Sequence, residues 1–224
     1  MNRRDFVISA FGCAVVASTA PRISAQTKTV EPDLAALAGS NGLMVLNRSV
    51  SSFTDGARKG ARLSESAGDG VAFVQGLSFA NGTIEIDLKG KDVQQQSFVG
   101  VAFHGVDATT YDAIYFRPFN FRTEDAARRV RAVQYVAQPM YPWPKLREEQ
   151  PGRFEQPVNT VPDPNGWFRA HIVVASPKVS VFVSDATQPC LVVEQLSARK
   201  KGLVGLWVGN GSGGDFANLR IVPA

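Results

Sequence analysis

Along most of this chain apolar and polar residues alternate in short runs, and turn residues separate the runs. The cleanest run is Thr83-Ile84-Glu85-Ile86-Asp87-Leu88-Lys89. Side chains on a strand point to opposite faces in turn. Ile84, Ile86 and Leu88 therefore face a core, and Thr83, Glu85, Asp87 and Lys89 face the other way. Similar runs over 43–46, 71–74, 97–104, 111–116 and 130–136 predict further strands. After residue 166 five more follow at spacings near ten residues: 168–174, 179–183, 190–196, 202–208 and 216–222. Turn signals fall between them, at Thr54-Asp55-Gly56, Asp69-Gly70, Asn81-Gly82 and the glycine-rich 209–214. A tight turn is expected at Asn81-Gly82 and a hairpin turn at 209–214. Helix is confined to one or two turns near 31–37 and a short start at Thr123-Glu124-Asp125 that ends on Arg128-Arg129. No alternation of strand and helix appears. Many short strands at regular spacing predict an antiparallel sandwich or barrel.

Two segments break the rhythm. The first is the N-terminus. Met1-Asn2-Arg3-Arg4-Asp5-Phe6 opens an apolar run to Ala20, then Pro21-Arg22-Ile23-Ser24-Ala25. The run is shorter than the ~20 residues a membrane span needs. The layout predicts an export signal of twin-arginine type over 1–25, cleaved after Ala25, with residues 26–224 forming one β-sandwich domain in the periplasm or outside the cell. The second is 137–166, which carries seven prolines together with Tyr141 and Trp143. A long irregular segment in a compact domain is functional or covers a sheet. Its composition predicts an ordered wrap.

The chain has 224 residues and a formal charge of +4. Residues 1–25 hold three arginines and one aspartate, so the remainder carries about +2. That is too little to imply nucleic acid or a membrane surface as partner. The basic clusters Arg128-Arg129 with Arg131 and Arg199-Lys200-Lys201 read as solvated turns. Beyond residue 25 only Cys190 remains, so no internal disulfide is expected. No cofactor and no metal are implied: His104 and His171 lie far apart in sequence, and Asp215 has no cluster of oxygen ligands beside it.

Candidate chemistry concentrates between Ser97 and Val136. Tyr115 and Arg117 share one strand face, Asn120 follows, and Gln134 lies on the next predicted strand. Arginine supplies a rigid donor fork, tyrosine a ring with a polar tip, and an amide both donates and accepts. These are the groups a saccharide requires. The alternative is that Arg117 bridges to Glu85 or Asp87 as a structural ion pair. Trp143 and Tyr141 are placed either to stack on a sugar ring or to plug the core from outside; Trp207 reads as packing. His104 is a candidate base beside the small Gly100 and Ala102, and otherwise a strand-end histidine tied to a turn.

Residues 79–87, Trp167 to Val183, Gly202-Leu203-Val204-Gly205-Leu206-Trp207-Val208 and Asp215-Phe216-Ala217-Asn218-Leu219-Arg220-Ile221 resemble the concanavalin A-like lectin and glucanase superfamily. Within it the chain looks most similar to the 3-keto-disaccharide hydrolase domain family. The resemblance implies a jelly roll of two packed antiparallel sheets whose concave face holds carbohydrate. Laminarinase-type retaining glycosidases of that superfamily carry Glu-x-Asp-x-x-Glu on one strand. Here Glu85 and Asp87 match, but Gly90 stands where the last acid belongs, and retaining hydrolysis needs a carboxyl pair ~5–5.5 Å apart. If the chain cleaves 3-keto glycosides, the resemblance makes Glu85, Asp87 or His104 the base and Arg117 the stabiliser of developing charge, with Tyr115, Asn120, Gln134 and Trp143 holding the substrate. The alternative is a non-catalytic module binding carbohydrate or protein.

Overall fold

A computed structural model describes residues 28–224. The expected export segment lies outside the described residues. The elements, in chain order, are a short helix α1 (Leu34–Ala38), strands β1 (Leu43–Leu46), β2 (Val50–Asp55), β3 (Arg58–Leu63), β4 (Gly70–Phe79), β5 (Gly82–Lys89), β6 (Val99–Gly105) and β7 (Asp112–Phe116), a 3₁₀ turn Pro118–Asn120, α2 (Ala126–Arg129), β8 (Val133–Ala137), α3 (Trp143–Glu149), β9 (Glu155–Gln156), β10 (Trp167–Ala175), β11 (Lys178–Val183), β12 (Leu191–Glu194), β13 (Gly202–Val208) and β14 (Gly214–Pro223). The strands form two seven-stranded antiparallel sheets. The first runs β1-β4-β13-β6-β7-β8-β9 and the second β12-β11-β10-β5-β14-β3-β2. The molecule is a jelly-roll sandwich of these two sheets. None of the helices among the described residues is long and apolar enough to cross a membrane.

The core is set by strand phase. Ile84, Ile86 and Leu88 are fully buried from the second sheet, and they meet Val101, Ile114 and Leu206 from the first. Each such side chain contributes roughly 1.5–3 kcal/mol through removal from water. Asn81-Gly82 is not a hairpin turn: β4 and β5 lie in different sheets, so the chain crosses the sandwich there. Gly82 makes the crossing at φ +133°, where a Cβ would stand 2.1 Å from the Val222 carbonyl oxygen. The glycine-rich 209–214 likewise carries the chain between sheets, from β13 to β14. Thr54-Asp55-Gly56 does turn a hairpin, between β2 and β3, two strands the alternation pattern leaves unmarked.

The outer face of the second sheet is closed by ion pairs. Arg169 sits opposite Asp87 on the neighbouring strand. It donates from Nη1 to Asp87 Oδ1 at 2.9 Å and from Nη2 to Glu85 Oε2 at 2.8 Å. Arg220 reaches Glu85 at 3.2 Å; Arg58 and Asn218 reach Asp87 at 3.0 and 2.8 Å. His171 stands 3.6 Å from Glu85. Burial alone would raise both carboxyls. The hydrogen bonds from Arg169, with Arg220 for Glu85 and Asn218 and Arg58 for Asp87, outweigh it and hold both below the usual carboxylate range. Groups with a depressed folded pKa stabilise above their unfolded value, and that stability is lost as pH falls through the folded value. The expected outcome is a melting temperature that declines below about pH 4. In a Glu85→Gln/Asp87→Asn variant, less stable at neutral pH, this dependence should flatten; calorimetry from pH 2.5 to 7 checks both.

Candidate functional site

A cleft of about 270 Å³ opens on the outer face of the first sheet. Its floor comes from strand phase. Tyr115 is registered against Gly100 on β6 and Gln134 on β8, and Gly100 is in turn registered against Trp207 on β13. These residues share one face. Gly100 is not open space: a Cβ there would lie 2.2 Å from the Ile114 carbonyl oxygen, so its role is close approach of β6 and β7. The Tyr115 and Trp207 rings pack with centroids 4.6 Å apart, and Phe98 meets Tyr115 edge-on at 6.2 Å. Tyr115 donates its hydroxyl to Gln134 Oε1 at 3.1 Å and accepts from Arg117 Nη2 at 2.8 Å; Arg117 also donates to Gln134 Oε1. Burial pushes the Tyr115 phenol up to about 12, so it stays a neutral donor. Burial lowers Arg117, against the pull of Tyr115 and Glu155, yet a guanidinium keeps its charge.

One wall is the excursion between β7 and β8. The Arg117 amide donates to the Ala132 carbonyl at 2.8 Å, and the Arg131 carbonyl accepts from Arg117 Nη1 and Asn120 Nδ2 at 2.9 and 3.2 Å. Asp125 caps α2 by accepting from the Ala127 and Arg128 amides. The closed loop brings Arg128 back onto Asn120 Oδ1 and the Phe119 carbonyl.

The other wall is α3. Pro142 occupies its N-cap and Pro144 lies within its first turn, where a missing N–H costs nothing. Trp143 and Arg147 are four residues apart and so share one helix face; the Arg147 guanidinium lies 4.7 Å from the Trp143 ring centroid. Leu146 anchors the helix in the core. Arg147 grips Glu155 bidentately at 2.9 and 2.6 Å. Glu155 is 5 % exposed, and Arg131 and Arg117 stand 3.6 and 3.8 Å from it. The rim opposite is set by Arg48, which donates to the carbonyls of Asn47, Gly68, Gly209 and Ser212. That fixes Asp69 and Asn210, both of which line the cleft. Tyr111 accepts from Trp207 Nε1 at 3.0 Å, and its hydroxyl lies in the surroundings of the Asp69 carboxyl. Asp69 as a residue reaches solvent, but crowding around its carboxyl raises it above the usual aspartate range against the pull of Arg48 and Tyr111.

The structure therefore brings Tyr115, Arg117, Asn120 and Trp143 to one cleft, with Gln134 directly beneath. It does not bring Glu85, Asp87 or His104 there. Glu85 and Asp87 point outward from the other sheet, and Arg117 pairs with neither of them; its acid is Glu155. His104 is fully buried at the far end of β6, at φ +49°. Its Nε2 donates to the Ala80 carbonyl at 2.7 Å, and its Nδ1 faces Gln195 Nε2 at 3.0 Å. Asp112, close by, takes Tyr135, Ser197 and Arg199. Asp215 is held bidentately by Arg62. Arg128 and Arg131 are cleft residues and not merely turn charges, and Trp207 floors the cleft. Arg147 and Asp69 were not marked by the sequence. The spacing Trp143-to-Arg147 would have marked the former had 143–149 been read as a helix. Asp69 had only its turn signature.

No protein-family model matches the chain, and no curated protein matches it. Solved structures are similar in fold. The carbohydrate-binding module CBM66 from Bacillus subtilis shares 15% identity at a TM-score of 0.57, over 80% of this chain and 95% of that one. A protein of unknown function with a galectin-like fold from Bacillus subtilis shares 10% at 0.58, over 87% and 94%. The exoplasmic/lumenal domain of VIP36, in a Ca²⁺- and mannose-bound form, shares 9% at 0.52, over 86% and 88%. At these identities the likeness is one of fold.

Removing the buried charge at Glu155 leaves three guanidinium groups facing one another. A Glu155→Gln variant should lose about 2–4 kcal/mol of stability. Urea unfolding should show a lower midpoint at unchanged slope.

Proposed function

We propose that this protein binds saccharide in the cleft over β6, β7, β8 and β13. The observation that carries the reading is the combination of aromatic faces with planar donors in one concavity. Trp143 is 45% exposed at its mouth, the nearly buried Tyr115 and Trp207 lie under its floor, and Arg128 and Arg147 each keep Nη1 for a ligand. A sugar ring offers a C–H face to stack and hydroxyls that need paired donors and acceptors. The fold likeness to a carbohydrate-binding module and to an exoplasmic/lumenal domain with bound mannose supports the same reading. A glycan array followed by calorimetry tests it. Trp143→Ala should weaken binding about tenfold, an effect of ~1.4 kcal/mol. Absence of affinity for any saccharide overturns the proposal.

Asp69 favours a catalytic version, cleavage of a 3-keto glycoside. It is the acid that lines the cleft, and desolvation of its carboxyl raises it above the usual aspartate range. Its carboxylate would take the C2 proton, which the C3 ketone acidifies. The electron pair passes to the ketone oxygen as an enolate and returns to expel the C1 oxygen, which takes the proton back from Asp69 and leaves as the alcohol. Water adding across C1–C2 completes hydrolysis. In this arrangement Asp69 takes the role of base, because Glu85, Asp87 and His104 face away from the cleft. Turnover of a 3-keto disaccharide should fall at least ~10²-fold in Asp69→Asn and persist in Glu85→Gln/Asp87→Asn. No turnover by the unaltered protein, or full turnover by Asp69→Asn, rejects the catalytic version and leaves binding standing.

A further inference from the structure

The cleft is strongly unequal in charge. Four arginines line it, Arg117, Arg128, Arg131 and Arg147, and Asp69 is the acid among its lining residues. Glu155 lies behind the wall, but both of its oxygens are taken by Arg147 at hydrogen-bond distance. Arg117 and Arg131 stand beyond that distance, at 3.8 and 3.6 Å, and feel Glu155 only as a nearby charge. Arg117 spends its donors on Tyr115, Gln134 and the Arg131 carbonyl. The Arg131 guanidinium has no hydrogen-bond partner among the described residues, and its side chain is 39% exposed at the cleft. Arg128 uses Nε and Nη2 on Asn120 and Phe119, leaving Nη1.

The charge is also ordered across the sheet. Asp69 and Asn210 flank the β4 and β13 side, while Arg131 and Arg147 flank the β8 and α3 side. Guanidinium groups crowded around one carboxylate repel each other, and the repulsion is relieved by a further anion. A planar fork with free N–H groups matches an oxyanion bidentately. We infer that the saccharide bound here is acidic, with a carboxylate or sulfate seated among Arg128, Arg131 and Arg147 and its neutral hydroxyls toward Asp69. This rests on the saccharide reading of the cleft.

The test uses the protein with three probes, trigalacturonate, a neutral galactotriose and a sulfated galactotriose that carries no carboxylate, measured by calorimetry at 50 and 500 mM NaCl. The expected result is at least tenfold tighter binding of an acidic probe than of the neutral one. That preference should shrink at high salt, because the screening length falls from ~14 Å to ~4 Å over this range. Whether the carboxylate or the sulfate probe wins identifies the oxyanion. Arg131→Gln removes a guanidinium that holds no hydrogen bond, so the fold should persist. Acidic-probe affinity should drop about tenfold while neutral-probe affinity moves less than twofold. Lys178→Gln, on the other sheet, should change neither. Equal, salt-independent binding of neutral and acidic probes overturns the acidic preference and keeps the saccharide reading. Failure to bind any probe or any arrayed glycan removes both.

Discussion

The cleft depends on a single buried carboxylate. Glu155 sits on β9, a strand of two residues paired to β8, and it is almost wholly removed from water. An isolated charge there would cost several kcal/mol, so the site exists only because cations converge on it. They arrive from three different segments: Arg117 from the end of β7, Arg131 from the close of the following excursion, and Arg147 from α3. One acid thus ties both walls of the cleft to the edge of the sheet. The arrangement is lopsided by construction. A carboxylate has two oxygens, and a bidentate arginine uses both, so the remaining guanidinium groups keep their charge and part of their hydrogen-bonding capacity for whatever enters.

The outer face of the second sheet shows what the same residue types do without walls. Glu85 and Asp87 meet Arg169, Arg220 and Arg58 in a flat lattice where each carboxylate oxygen accepts a hydrogen bond. The first sheet differs because two segments rise above it, and they hold its polar side chains apart. Both faces of β6 and β7 are buried for this reason: one by the core, the other by the cleft and its covers. The covers therefore shape the cleft, and the sheet supplies the register.

Strand phase made much of this legible. Ile84, Ile86 and Leu88 could be assigned to the core from alternation alone, and Tyr115 and Gln134 fall opposite each other as neighbouring strands of matching phase must. Alternation states which way a side chain points but not which sheet carries it. That is why Glu85 and Asp87, correctly placed outward, were expected near Tyr115 and lie instead on the other layer. The Asn81-Gly82 pair misleads in the same way, since its local geometry is that of a turn and its role is a crossing. The prolines of 137–166 concealed α3, because proline breaks a helix interior yet suits a first turn. His104 reads as a base by residue type; its positive φ and the Ala80 carbonyl make it a buried fastener.

The polarity of the cleft constrains what can lie in it more sharply than its shape does. Guanidinium groups donate and never accept. On the α3 side a ligand must therefore present acceptors, and a hydroxyl there would leave its own proton unpaired unless an amide took it. On the Asp69 side the requirement is reversed, because a carboxylate there asks for donors while it is ionised. Between the two ends Tyr115 and Trp207, nearly buried against each other, set an apolar floor that carries no direction. A ligand with the same groups at both ends could bind in two orientations, each leaving one end mismatched. A ligand with an acceptor-rich end and a hydroxyl-rich end binds in one. For a ligand of the proposed kind, the arginine excess around Glu155 would thus do more than raise affinity for negative charge: it would fix which end meets which wall, and so which bond would lie beside Asp69.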